Sequence, residues 1–215
     1  MIRRRVAILI SGRGSNMASL IEAARAADFP AEIALVLSNR PDAEGLERAK
    51  EAGIATCAID HKAYPDRESF EQALDAALAE HDIAFICLAG FMRVLTEGFV
   101  KRWSGRMVNI HPSLLPLYRG TQTHRRALAD GVLVHGCTVH FVVPELDAGP
   151  IIAQAVVPVV PGDTEESLAA RVIVQEHRLY PQALRMICDG TARLENGRVV
   201  FARGWDAGAA LHSPN

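Results

Sequence analysis

Short apolar runs alternate with stretches of helical period through the first half of the chain. Residues 6–11 (Val-Ala-Ile-Leu-Ile-Ser) are almost uninterruptedly apolar, which predicts a strand buried on both faces. A turn at 12–16 follows, and Met17, Leu20, Ile21 and Ala24 then recur at the spacing of one helix face. The alternation repeats, predicting strands at 33–37, 54–59, 83–89 and 107–110. Helices are predicted at 44–52, with Gly53 as the stop, from near Asp66 through Phe70, Ala73, Leu74, Ala77 and Leu78, and at 97–102. Strand and helix in turn at this spacing describe βαβ units, hence an α/β fold with a doubly wound, mostly parallel sheet. Right-handed crossovers put helices on both faces, and ligands of such sheets sit beyond the carboxyl ends of the strands. Residues 11–16, 38–40, 89–95 and 109–111 are therefore expected to converge on one edge.

From Thr123 the pattern loosens. A helix at 124–129 precedes a strand at 136–143, in which Cys137, Val139 and Phe141 alternate with Thr138 and His140. A loop at 144–150 and a strand at 151–160 follow. Asp163 and Glu166 have the spacing of a capping box, and the helix they open carries Leu168, Val172 and Leu179 as far as Tyr180. Pro181 is expected to kink it there. Asn196-Gly197, between apolar runs at 192–194 and 199–202, signals a two-residue hairpin and so an antiparallel C-terminal extension. We expect one domain over residues 1–204, with halves of about 1–105 and 106–204, and a loose tail at 205–215.

Composition narrows the class. A chain of 215 residues with 49% hydrophobic and 22% charged residues has ample core for one such domain. Its net charge of −2 leaves no basic footprint, which argues against a nucleic-acid partner. The apolar run at 6–10 is too short for a signal segment or a membrane span, and no later segment is long and apolar enough to span either, so a cytoplasmic protein is expected. Cys57, Cys87, Cys137 and Cys188 lie far apart with no Cys-x-x-Cys pair, as reduced core thiols do.

Candidate chemistry begins at the end of the fifth strand. Residues two apart in an extended chain point the same way, so Asn109 and His111 project together before Pro112 and Pro116 stop regular structure. An amide donor and an imidazole aimed at one spot stabilise an oxyanion and move a proton; the plainer reading is a turn with a hydrogen-bonded histidine. Gly12-x-Gly14 after the first strand reads as a single-phosphate site, a dinucleotide turn or a purely structural turn. Met17 stands where a dinucleotide fingerprint has its third small residue, and no acid ends the second strand, although Arg40 there suits a 2′-phosphate. An NADP-dependent oxidoreductase is thus one alternative. His140 reads as a half-buried strand residue. The histidines show no metal-ligand spacing, and Ser113 lacks a nucleophile elbow. Asp147 lies either in a simple turn or beside His111 as a supporting acid.

Taken together, four segments resemble the phosphoribosylglycinamide formyltransferases, folate-dependent enzymes of de novo purine synthesis. They are Ile10-Ser-Gly-x-Gly-Ser-Asn16, Leu88-Ala-Gly-Phe-Met-Arg93, Asn109-Ile-His-Pro-Ser-Leu-Leu-Pro116 and Glu145-Leu-Asp-x-Gly-Pro150, and the likeness runs from about Val6 to Tyr180. The resemblance implies a Rossmann-like formyltransferase fold. It also implies transfer of the formyl group of 10-formyltetrahydrofolate to the amine of glycinamide ribonucleotide, through a tetrahedral intermediate with no metal and no covalent enzyme intermediate. Carried onto this chain, Asn109 and His111 stabilise the oxyanion, His111 acts as general acid, and Asp147 orients it. Gly14, Ser15, Asn16 and Glu176 match phosphoribosyl positions. Arg67, Met92, Arg93, Val94, Leu95, Asn109, Val143, Pro144 and Glu145 match folate positions.

Tyr118-Arg-Gly-Thr-Gln122-Thr-His124 departs from the family pattern. Arg119-Gly120 is similar to the methionyl-tRNA formyltransferases, and Gln122 replaces the family's usual His or Asp, which opens the question of another amine acceptor. The length leaves no room for the transfer-RNA enzyme's C-terminal barrel or for a hydrolase's N-terminal regulatory domain. Small-molecule substrates, no nucleic acid, no membrane, and a monomer or homodimer are expected.

Overall fold

Residues 6–10 are fully buried, as their apolar run requires, and form the middle of the sheet in the computed structural model, which describes residues 3–202. Parallel strands β1 (Arg4–Ile10), β2 (Ala31–Ser38), β3 (Thr56–Ala58), β4 (Phe85–Leu88) and β5 (Met107–His111) are joined by antiparallel β6 (Val134–Phe141) and β7 (Ile151–Pro158). The order across the sheet is β3-β2-β1-β4-β5-β6-β7. A hairpin of β8 (Ala192–Glu195) and β9 (Arg198–Phe201) forms a separate two-stranded sheet. Its turn residues Asn196 and Gly197 have φ of 49° and 75°, as a type I′ turn demands.

Alternation along β1 divides the interior. Val6, Ile8 and Ile10 pack with α1 (Ser15–Ala24), α2 (Glu44–Glu51) and α6 (Glu165–Cys188), through Met17, Leu20, Leu46, Leu168 and Val172. Ala7 and Leu9 face α3 (Arg67–Glu80) and α4 (Glu97–Arg102), through Phe70, Leu74, Leu78 and Phe99. A short helix α5 (Thr123–Ala129) precedes β6. Tyr180, wholly buried on α6, donates its hydroxyl to the carbonyls of Leu88 (3.0 Å) and Val108 (3.2 Å) and so ties α6 to β4 and β5.

Two expectations about α6 fail for identifiable reasons. The helix does not stop at Tyr180 but runs through Pro181 to Cys188. The turn beyond it buries Ala183, Leu184, Ile187 and Cys188 in the same core as Tyr180. At roughly 1.5–3 kcal/mol for each large apolar side chain, that burial outweighs the roughly 3 kcal/mol a mid-helix proline costs. The capping box belongs to Thr164 and Ser167, not to Asp163 and Glu166. Asp163 instead accepts both guanidinium nitrogens of Arg171 (2.8 and 2.9 Å), the Ser167 hydroxyl and the Val160 N–H; Arg171 first among them holds its carboxyl well below the usual range. The third strand is also shorter than expected, because Ile54 N–H turns back to Ala49 O on α2 (2.9 Å).

All four cysteines are free thiols, three buried and Cys57 partly so. No helix among the described residues is long and apolar enough to cross a membrane. The expected loose tail at 205–215 lies outside the described residues. The chain lays β2 and β3 on one side of β1, and β4 and β5 on the other, so the topological switch point falls between β1 and β4. There Ser11 N–H bonds to Gly90 O (3.1 Å), joining the first and fourth strand ends.

Candidate active site

β5 delivers Asn109 and His111 to the same side, and the antiparallel ladder sets His140 of β6 directly opposite Asn109. His140 Nδ1 lies 2.9 Å from the Phe141 carbonyl, an acceptor, so that nitrogen carries the proton and Nε2 is bare. Asn109 Nδ2 donates to that bare Nε2 at 3.3 Å. The bond fixes the amide and leaves Asn109 one further N–H to offer. Burial pushes the His140 pKa down, against the smaller opposing pulls of the Phe141 carbonyl and Asp147, so the neutral ring is favoured.

His111, buried at 5% exposure, faces acceptors at both nitrogens. Nε2 donates to Tyr118 O at 2.9 Å, and Nδ1 stands 3.5 Å from Asp147 Oδ2. Both ring nitrogens thus look onto oxygen acceptors, one a carbonyl and the other a carboxylate. Asp147 sits in the loop between β6 and β7 at φ 49°, held by the Gly120 N–H on Oδ2 (2.8 Å), with its Oδ1 3.9 Å from His140 Nε2. The loop can close this tightly because Gly149 abuts the Phe141 carbonyl: a Cβ there would lie 1.7 Å from that oxygen. Asn109, His111 and Asp147 thus come together as expected, and His140 joins them.

The N-terminus of α1 approaches from β1. Gly14 is the N-cap, left-handed at φ 72°, and no side chain caps the helix. Asn16 instead donates to Glu176 Oε2 on α6 (2.6 Å), and its own Oδ1 is buried with no partner among the described residues. Burial pushes the Glu176 carboxyl up, and the Asn16 bond only partly counters it. Met17 fills the space beside Gly14 that a third small residue leaves open in a dinucleotide turn. Arg40 is taken by Asp42, at 3.0 and 3.3 Å.

A cavity of about 570 Å³ opens between these groups. Asn109, His111, His140 and Asp147 line one part, and Asn16 and Glu176 another. Met92, Val94, Leu95, Val142, Val143 and Pro144 form an apolar wall, which Arg93 interrupts. Met92 is 75% and Val94 56% exposed, an apolar surface that a ligand would cover. Four expected residues stay outside the lining. Gly14 and Ser15 lie at the helix start behind Asn16, Arg67 opens α3 exposed to solvent, and Glu145 pairs with Arg119 at 2.7 Å. Among the lining residues missed in sequence are His140, the 120–124 segment and Glu165. For His140 the available signal was its position beside Thr138 on the polar side of an otherwise apolar strand.

Comparison with known proteins gives a consistent picture. Residues 4–184 match the family described as formyl transferase. The chain is 48% identical over 202 residues to the human trifunctional purine biosynthetic protein adenosine-3, covering 94% of this chain and 20% of that protein. Among the trifunctional relatives it spans between 14% and 20% of their length. It is 45% identical over 189 residues to the phosphoribosylglycinamide formyltransferase of Escherichia coli (strain K12), covering 88% of this chain and 89% of that one. Its fold is similar to the crystal structure of glycinamide ribonucleotide transformylase 1 from Symbiobacterium toebii, with 44% identity, a TM-score of 0.89, and coverage of 93% and 94%.

Proposed function

The chain belongs to the formyl transferase family, and from that premise we propose that it transfers the formyl group of 10-formyltetrahydrofolate to the amine of glycinamide ribonucleotide in purine biosynthesis. The observation that carries this reading is the cluster of Asn109, His111, His140 and Asp147 opening into the same cavity as the Asn16–Glu176 pair.

The residues present fit both substrates. A cavity of about 570 Å³ lies within the roughly 300–1,000 Å³ of small-molecule sites. Its apolar wall suits a flat heterocycle. Arg93, Val94 and Leu95 make no backbone hydrogen bonds among the described residues, which leaves their N–H and C=O groups for a ligand's polar edge. The start of α1, with its uncapped first turn, suits a phosphate, and Glu176 with Asn16 suits ribose hydroxyls. In this proposal the phosphate lies with the first half of the chain, at about 1–105, and Glu176 of the second half reaches the ribose. The catalytic groups belong to the second, at about 106–204. A cytoplasmic setting accords with four free thiols.

In the reaction the acceptor's amine nitrogen bonds to the formyl carbon, and the carbonyl π pair moves onto oxygen. Asn109's remaining N–H and His111 Nε2–H stabilise that oxyanion, the substrate oxygen taking the place of the Tyr118 carbonyl. The adduct collapses by breaking the bond from the formyl carbon to N10. The proton lost by the amine reaches N10 by way of His111, so product amide and tetrahydrofolate balance. Asp147 orients His111 and stabilises positive charge that develops on its ring during the relay, and neutral His140 holds Asn109 in place.

Consumption of 10-formyltetrahydrofolate that requires glycinamide ribonucleotide is the expected outcome of a transfer assay. Turnover independent of that acceptor, or tight NADPH binding without folate binding, overturns the proposal.

A further inference from the structure

The apolar wall has a property that its own residues do not explain: it is a coil segment whose two ends are fastened by buried polar side chains. At one end Ser11, only 6% exposed, accepts the Met92 N–H at 2.7 Å. Its hydroxyl proton is committed to Asn39 Oδ1 at 2.5 Å, and Asn39 is itself 2% exposed, so the acceptor lone pair is fixed in direction. At the other end Glu71, 2% exposed on α3, takes the Thr96 N–H on Oε1 at 2.6 Å and the Thr96 hydroxyl on Oε2. No cation pairs with Glu71 among the described residues. Both of its oxygens are spent on this one residue. Burying a carboxyl is costly unless hydrogen bonds meet it, and a loop that needed only attachment is served equally well by a neutral acceptor. Between the two clamps, Arg93, Val94 and Leu95 have no backbone bonds among the described residues, so the position of the segment is set by its ends.

We propose that Ser11 and Glu71 are positioning residues for the formyl donor, holding the 92–96 segment at the distance from Asn109 and His111 that transfer requires. This rests on the formyl-transfer reading above. Neither side chain lines the cavity. Each acts through the backbone it holds. Loosening a clamp therefore weakens donor binding selectively, because the ordering of the segment must then be supplied when the donor binds.

The test uses the full chain with Ser11→Ala and, separately, Glu71→Gln, which keeps the side chain's shape but not its second acceptor oxygen. Three quantities are read: KM for 10-formyltetrahydrofolate, KM for glycinamide ribonucleotide, and the Kd of tetrahydrofolate by calorimetric titration. The expected result is a donor KM and a tetrahydrofolate Kd each raised about tenfold, with the acceptor KM within about twofold of wild type. Thermal unfolding identifies a variant that fails to fold, in which case the other decides. Donor KM and Kd unchanged in a folded variant overturn the inference, as does a parallel rise in both KM values, which marks a merely structural role. The two readings fail differently. Wild-type protein that binds tetrahydrofolate but transfers nothing overturns the proposed reaction, while the Kd values still decide the clamps. Wild-type protein that binds no tetrahydrofolate overturns both.

Discussion

Asp147→Asn isolates the charge of the supporting acid from its shape. The carboxylate lies 3.5 Å from His111 Nδ1, and the two side chains are 8% and 6% exposed, so solvent screens the pair little. At an effective dielectric of about 20, unit charges at that separation attract by about 5 kcal/mol, an upper bound on what the charge supplies to an imidazolium. Losing all of it would slow kcat by about three and a half decades. Asparagine keeps part of the interaction: its amide oxygen still accepts the Gly120 N–H and still presents a dipole to the ring. It is also among the few residues that tolerate the left-handed backbone at this position, φ 49°, so the loop keeps its path. The expected outcome is a kcat lower by about 10²–10³-fold, with KM for both substrates within about threefold and little change in Tm. Steady-state kinetics with each substrate varied, alongside thermal unfolding, measures all of these. A kcat loss under tenfold refutes the electrostatic account of Asp147. A large rise in KM at unchanged kcat moves the residue into substrate binding.

Three further outcomes follow from other parts of the site. Ser15→Ala, at the first position of α1 beside the Gly14 cap, is expected to raise KM for the phosphorylated substrate more than it lowers kcat; an unchanged KM removes the phosphate from that turn. Glu176→Gln removes a carboxyl whose pKa burial raises above its ordinary value, so its ionisation opposes folding. The variant should therefore be more stable than wild type at neutral pH, with the difference shrinking as pH falls toward about 4.5 and vanishing below it. Stability profiles that stay parallel across that window contradict the burial. Gly149→Ala puts a methyl 1.7 Å from the Phe141 carbonyl, which also accepts His140 Nδ1–H, and should cost about 3 kcal/mol, roughly 10 °C in Tm. A Tm within about 2 °C of wild type would mean that the loop accommodates the methyl at little cost.

The fold was legible where burial and period agree. The apolar run of β1 and the helical spacing of Met17, Leu20 and Ile21 leave one arrangement, and the structure has it, with the alternate residues of β1 feeding two separate cores. Legibility failed where a local rule met tertiary packing. Pro181 is a helix breaker by rule, yet the apolar side chains beyond it reach the core only if the helix continues. Asp163 has the spacing of a cap, yet Arg171, eight residues on, offers it a bidentate partner that no short-range pattern records.

The site shows the same division. Asn109 and His111 were legible because they share one strand, where period two fixes their common direction without knowledge of anything else. His140 depends on a register between strands separated by more than twenty residues. Moving that register by one places Val139 or Phe141 opposite Asn109 and turns His140 away, so the side chain's role belongs to the pairing and not to the residue. The same holds for the clamps. Ser11 and Glu71 lie about sixty residues apart in sequence and meet only through the 92–96 segment, which each holds by an end. A group that acts on its own strand can be found from composition and period. One that acts by what it stands opposite is visible only after the sheet has closed, and here those groups decide whether the catalytic amide and the apolar wall are held still.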